Sequence, residues 1–276
     1  MRTVSLPGGE QVPALGQGTW MMGERPDRRS DEIAALRLGV DLGMTLIDTA
    51  EMYGEGAAEE LIGEALRDVR DTFFLVSKAY PQNASRARLR AACEASLRRL
   101  GTDRLDLYLL HWRGSVPLGE TAEAMEALRT AGKIRHWGVS NLDTRDMEEL
   151  FAAGGDGCAV DQILYNLTRR GPEHDLLPWL EARALPAMAY SPVEQGRLVA
   201  DTTLRRIAEA IGATPAQVAL AWTLRRSGMI AIPKAGTAAH VRENRAAVDL
   251  ALSAEDMAAL EAAFPPPRGR RPLEML

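Results

Sequence analysis

Short apolar runs recur along this chain at a fairly even interval, separated by segments with helical periodicity. The runs are ALGQGTW (14–20), TLIDTA (45–50), FFLVSKA (73–79), LDLYLLHW (105–112), IRHWGVSN (134–141), AVDQILY (159–165), PAMAYSP (186–192) and MIAIPK (229–234). Bounded by turn residues, they predict eight strands. Between them, DEIAALRLGVDLG, SRARLRAACEASLRRLG and GETAEAMEALRTAG repeat apolar positions at helical spacing. Gly43, Gly101 and Gly132 fall where such helices should stop. Thr214 before Pro215, with Gln217 at the third helical position, predicts a capping box, and Ser253 is placed to cap the last helix. Ahead of all this, TVSLPGGEQVP sets a Pro-Gly-Gly turn between two short extended pieces and predicts a β-hairpin.

Strands alternating with helices imply parallel pairing and right-handed crossovers. Eight such units suit a closed (β/α)8 TIM barrel better than an open sheet, so the predicted fold is α/β, a barrel with an N-terminal hairpin. No linker, repeat or low-complexity tract divides residues 1–276, which predicts one barrel domain with a short tail from about 265. That tail, PPPRGRRP (265–272), is too rich in proline for a helix and is expected to drape over the surface.

Composition narrows the function classes. Hydrophobic residues at 46% and charged ones at 26% describe an ordinary globular protein with ample core. The net charge of −5, with no long run of one sign, argues against a nucleic-acid partner. The N-terminus MRTVSLPGGE has no apolar signal-like core, and no stretch reaches the roughly 18 apolar residues of a membrane helix. Cys93 and Cys158 make no disulfide framework and are expected as buried thiols in a reducing compartment. A cytoplasmic location follows as the expectation. The four histidines, 111, 136, 174 and 240, are scattered without H-x-H or H-E-x-x-H spacing, so no metal site is expected.

In a (β/α)8 barrel the active site forms at the C-terminal ends of the strands. The polar residues ending the eight runs are Asp48, Lys78, His111, Ser140 with Asn141, Gln162, Tyr190 with Ser191, and Lys234. Tyr53 follows Asp48 by five residues and belongs to the same loop layer. Singly, each has a plain structural explanation: Asp48 as a helix cap, Lys78 as a snorkelling surface lysine, His111 as a satisfied structural histidine, Tyr53 as a rim residue. Together they make a proton-delivery device. Tyrosine, with a reference pKa near ~10, is a protonated acid at neutral pH. An ammonium beside it, Lys78, stabilises the phenolate left after donation, and Asp48 would hold that ammonium. His111 can orient a carbonyl oxygen. Such a set suits carbonyl reduction, which also needs a hydride from a cofactor. Gly16-Gln-Gly18 and Tyr53-Gly54-Glu55-Gly56 both fail as Rossmann turns, so a nicotinamide would have to lie across the barrel mouth. There Ser140, Asn141 and Gln162 can bond its carboxamide, Tyr190 can stack on its ring, and Lys234 can meet a phosphate.

These residues lie in motifs that resemble the aldo-keto reductases along essentially the whole chain. GMTLIDTAEMYGEGAAEELIGEAL (43–66), ASLRRLGTDRLDLYLLHW (95–112) and AIPKAGTAAHVREN (231–244) resemble that family's three signatures. WGVSN (137–141) and AYSP (189–192) are similar to its cofactor-binding strands. Within the family the chain most resembles small bacterial methylglyoxal reductases. The resemblance implies a catalytic tetrad of Asp48, Tyr53, Lys78 and His111 with Tyr53 as proton donor. It also implies NADPH held by Ser140, Asn141, Gln162, Tyr190, Ser191, Lys234, Thr237, His240 and Asn244, and substrate walls at Trp20 and Trp112. Two positions depart from the pattern: Ala235 stands where many members have serine, and His240 where they have the arginine that grips the adenosine 2′-phosphate. Histidine is not a permanent cation, so the preference for NADPH over NADH is expected to weaken as pH rises. The connections WRGSVPLG and SPVEQGRLVA are short, which predicts a shallow, open site. Small 2-oxoaldehydes such as methylglyoxal and activated aromatic aldehydes are the expected substrates, and a monomer the expected state. The family also contains cofactor-binding regulatory proteins with little turnover, and the intact tetrad argues against that alternative here.

Overall fold

Ten strands form two sheets in the computed structural model, which describes residues 1–276. The hairpin pairs β1 (Thr3–Ser5) with β2 (Gln11–Pro13), antiparallel, in the register Val4↔Val12. The second sheet runs in sequence order through β3 (Gln17–Gly18), β4 (Leu46–Asp48), β5 (Phe74–Ala79), β6 (Leu105–Leu110), β7 (Ile134–Ser140), β8 (Cys158–Leu164), β9 (Ala187–Tyr190) and β10 (Met229–Ala231), every pair parallel. Each predicted apolar run coincides with one of these eight, β8 alone beginning one residue ahead of its run.

The sheet closes on itself at the seam between β3 and β10. Leu15 bridges Ala231 and Gly18 bridges Lys234, both parallel. The Gly16 amide donates to the Ala231 carbonyl at 2.9 Å, and the Gly18 amide to Pro233 at 3.1 Å. A side chain at Gly18 would bring its Cβ to 2.7 Å from the Ile232 carbonyl, so the close approach requires glycine there. The fold is the (β/α)8 barrel with the expected N-terminal hairpin.

The core has two layers, and strand alternation assigns residues to them. Leu46, Phe74, Val76, Leu107, Leu109, Val160, Met188 and Ile230 fill the barrel interior, joined at its base by Val4, Leu6 and Val12 of the hairpin. Their neighbours Ile47, Leu75, Tyr108, Leu110, Val139 and Ile163 belong instead to the larger cluster between strands and helices. Local signals end the helices as the sequence predicts. Gly101, in left-handed conformation, closes the helix Leu89–Leu100, and Gly43 and Gly132 also adopt positive φ. Thr214 with Gln217, and Ser253 with Asp256, form complete capping boxes.

The tail drapes over the surface as expected, every residue from 265 to 276 being exposed or half-buried. It has no regular structure, yet Arg270 pairs with Asp175 at 3.0 Å and Asp143 at 3.6 Å, and Glu274 with Arg169 at 2.6 Å. These contacts carry Met275 and Leu276 back to the barrel mouth, where both line the central cavity.

Candidate active site

Alternation also builds the site. Asp48, Lys78, His111, Ser140, Gln162, Tyr190 and Lys234 each lie two residues after an inward position: Leu46, Val76, Leu109, Gly138, Val160, Met188 and Ile232. Each therefore continues the interior face of its strand into the mouth. Tyr53 reaches the same place from the turn Tyr53–Gly56, whose Gly54, Glu55 and Gly56 all have positive φ.

Lys78 is fully buried, and three acceptors surround its ammonium. It donates to Asp48 Oδ2 at 2.8 Å, to the Thr49 carbonyl at 2.8 Å and to the Tyr53 hydroxyl at 3.0 Å. An ammonium has three donors, so none is left over. The second Asp48 oxygen accepts from Gln162 Nε2 at 2.7 Å. Burial alone would depress Lys78, but the Asp48 carboxylate and the Tyr53 hydroxyl outweigh it and hold the ammonium above the ordinary lysine range. Burial pushes Tyr53 up from 10.0, against the downward pull of Lys78. The phenol is thus protonated at neutral pH, and the adjacent cation limits how weak an acid burial makes it.

His111 packs edge-on to Tyr53, with ring centroids 5.9 Å apart. Burial, with Lys78 nearby, lowers its pKa to about 2. The imidazole is therefore neutral, and its buried Nδ1 has no hydrogen-bond partner. Trp112 leans on His111 at 4.9 Å and on Tyr80 at 5.9 Å. A neutral donor beside a protonated phenol suits an oxygen that gains negative charge.

A second network lies on the opposite wall. Tyr190 donates to Asn141 Oδ1 at 2.9 Å, while Asn141 Nδ2 donates to Ser140 Oγ at 3.0 Å and to the His111 carbonyl at 3.1 Å. Ser140 in turn donates to the Gln162 carbonyl at 2.9 Å. Asn141 at φ 60° and Ser191 at φ 48° hold left-handed backbone that non-glycine residues seldom adopt. Strain of this kind persists where surrounding structure over-determines it, commonly at binding sites. Farther out, Lys234, His240 and Asn244 complete the wall, with Thr237 capping the helix Ala238–Ala246.

One cavity of about 900 Å³ joins these parts. Of the fifteen residues singled out in the sequence, thirteen line it. Lys78 stands behind Asp48 and Tyr53, and Thr237 serves its helix cap. Sequence reasoning missed Met21, Met52, Gln195, Val199, Glu243, Met275 and Leu276 on the same walls. Of seven exposed large hydrophobic side chains, five (Trp20, Met21, Val199, Met275, Leu276) belong to this mouth, which makes it more apolar than the loop lengths suggest. No group of three or more His, Cys, Asp or Glu is placed to hold a metal. Burial raises both cysteine thiols to about 12, which leaves them unreactive.

A parallel barrel whose mouth joins a buried ammonium–carboxylate pair, a phenol and a neutral imidazole to a long cleft of mixed polar and apolar walls defines a class: (β/α)8 oxidoreductases. The sequence profile of the Aldo/keto reductase family matches residues 14–264, and the chain belongs to that family. The methylglyoxal reductase YeaE of Escherichia coli (strain K12) is 52% identical, covering 100% of this chain and 99% of its own length. The glyoxal reductase of Bacillus subtilis (strain 168) is 32% identical, covering 94% and 92%. The crystal structure of an aldo/keto reductase from Klebsiella pneumoniae in complex with NADP and acetate superposes with a TM-score of 0.97, at 52% identity and 99% coverage of both chains.

Proposed function

We propose that this protein reduces small aldehydes and ketones to alcohols with NADPH, 2-oxoaldehydes such as methylglyoxal and activated aromatic aldehydes foremost. The observation that carries the reading is the Lys78 ammonium, saturated by Asp48, Thr49 and Tyr53. That arrangement has no structural necessity at a solvent-facing mouth, but it prepares one phenol to give up a proton.

The cleft fits a dinucleotide. Its volume of about 900 Å³ sits at the upper end for ligand pockets. It runs from the acid–base cluster past Tyr190, whose ring can stack on a nicotinamide, to Lys234 and His240, which can meet phosphate. Ser140, Asn141, Gln162, Ser191 and Asn244 complete the holding set, with Thr237 acting through the helix it caps. NADPH supplies the hydride. Tyr53 gives its hydroxyl proton to the substrate oxygen, and Lys78, locked by Asp48, stabilises the phenolate. His111 orients that oxygen as a neutral donor, and Trp20 and Trp112 flank the substrate. The 52% identity to a methylglyoxal reductase supports the substrate class. No helix is long and apolar enough to cross a membrane. We place the protein in the cytoplasm as a single barrel acting as a monomer.

The test is Tyr53→Phe. Turnover of methylglyoxal should fall by about 10²–10⁴-fold, while the NADPH dissociation constant, read from tryptophan quenching, should change little. A phenylalanine variant turning over at the wild-type rate refutes the assignment. Steady-state NADPH consumption by the wild type separates an enzyme from a cofactor-binding regulator of the same fold.

A further inference from the structure

Two segments border the cavity from outside the barrel. Residues 191–200 contribute Gln195, Gly196 and Val199, and the tail contributes Met275 and Leu276. Neither has regular strand or α-helix to fix it. One side chain touches both. Arg169 donates through Nε and Nη2 to Glu194 Oε1, at 3.1 and 2.8 Å, and through Nη1 to Glu274 Oε1 at 2.6 Å.

The base of this contact is rigid. Asn166 Oδ1 accepts from the Thr168 and Arg169 amides at 2.9 and 3.1 Å, a tight turn directly after β8. Asn166 Nδ2 also holds the Ser191 carbonyl at 2.9 Å and Glu194 Oε2 at 2.7 Å. The Glu194 side chain is 5% exposed, whereas that of Glu274 is 49% exposed. Glu194 and Gln195 hold left-handed backbone at φ 49° and 55°, so this loop needs outside contacts to keep its shape. Exposed Arg197 adds only a 3.4 Å contact to Glu194.

We propose that Arg169 is a positioning residue that couples the loop 191–200 to the tail, so that seating one over the cavity favours seating the other. The guanidinium is a planar fork whose donors move together. A carboxylate bound to Nη1 fixes the plane that Nε and Nη2 present to Glu194, so the second contact loses less rotamer freedom than the first. Such coupling is reciprocal by thermodynamic linkage. A lysine presents a point charge and cannot hold both carboxylates in one plane. The link to turnover rests on the cofactor reading above, whereas the coupling itself belongs to the cofactor-free protein.

The experiment follows backbone hydrogen exchange in the full chain without cofactor, then NADPH affinity by tryptophan quenching. Glu274→Gln, a change in the tail alone, should speed exchange within residues 191–200 by about 3-fold, the scale of a half-exposed ion pair. Arg169→Met should loosen both segments by about 10-fold or more. Arg169→Lys should restore one segment at most. Adding Glu274→Gln to Arg169→Met should change the loop no further, which a merely additive structural role would not produce. NADPH should bind Glu274→Gln about 3-fold more weakly. If Glu274→Gln loosens the tail while residues 191–200 exchange as in the wild type, the segments are independent and the proposal is overturned. If the wild type fails to bind NADPH, the cofactor reading falls, and the exchange result still decides the coupling.

Discussion

Replacing Lys78 by methionine separates what holds the site together from what makes it react. The lysine is fully buried and its three hydrogen bonds go to Asp48, Thr49 and Tyr53. Methionine fills similar volume but leaves the Asp48 carboxylate, whose side chain is 2% exposed, with Gln162 as its remaining hydrogen-bond partner. Breaking a buried pair by removing one member costs about 3–5 kcal/mol. For a chain of this size 1 kcal/mol shifts the thermal midpoint by about 2 °C, so the variant should melt about 6–10 °C lower by calorimetry. Its turnover should fall by about 10²–10⁴-fold, since the phenolate of Tyr53 loses its neighbouring cation. The informative protein is the double variant Asp48→Asn/Lys78→Met. With no charge left uncompensated, it should regain at least half of the lost stability and none of the activity. A single variant that melts within 2 °C of the wild type, or a double variant no more stable than the single, refutes this account of the pair.

Asp161 is fully buried, and burial pushes its pKa well up against the weaker opposing pull of the Leu142 backbone. The folded protein keeps a proton that the unfolded chain loses above about 3.9, so the stability this group contributes drains away as pH rises. Asp161→Asn should therefore melt higher than the wild type at pH 7, with a margin that widens from pH 5 to pH 8; a margin constant with pH counts against the reasoning. His111, lowered to about 2, should stay neutral down to pH 4.5, visible as an unshifted labelled-imidazole resonance. Because the unfolded chain takes up this proton near ~6.5, stability should fall as pH drops below that point. A His111 resonance that titrates near neutrality contradicts the burial argument. His240→Arg should tighten NADPH several-fold and NADH hardly at all, since a fixed guanidinium fork suits phosphate; equal gains for both cofactors would remove His240 from the phosphate site.

Much of the fold was legible because period-two alternation and barrel chemistry coincide in this chain. Asp48, Lys78, His111 and Gln162 stand out by interrupting apolar runs at their C-terminal ends, and those ends converge in a closed parallel barrel. The role of Gln162 in steadying Asp48 was less visible, because its partner lies 114 residues away. The anchoring of the tail was invisible for the same reason. Proline-rich composition correctly excluded a helix, but the pairs Arg270–Asp175 and Arg169–Glu274 join positions far apart in sequence, and no local pattern announces them. Met21 and Met52, ordinary apolar residues by composition, acquire meaning only from the cavity they both line.

The seam between β3 and β10 also governs when the chain becomes competent. Trp20 lies just past the first strand of the barrel and Lys234 just past the last, yet they border the same cleft. Contacts so distant along the chain form late, because loop-closure entropy must be overcome first. At roughly 5–20 residues per second of synthesis, the segment around Gly16 waits for tens of seconds before Ala231 and Pro233 exist to receive its amides. Throughout that interval its strand is an unpaired edge, open to wrong partners. The nascent barrel is therefore most exposed to misassociation just before it closes, and a ligand spanning the closed seam would act as a latch on a completed ring.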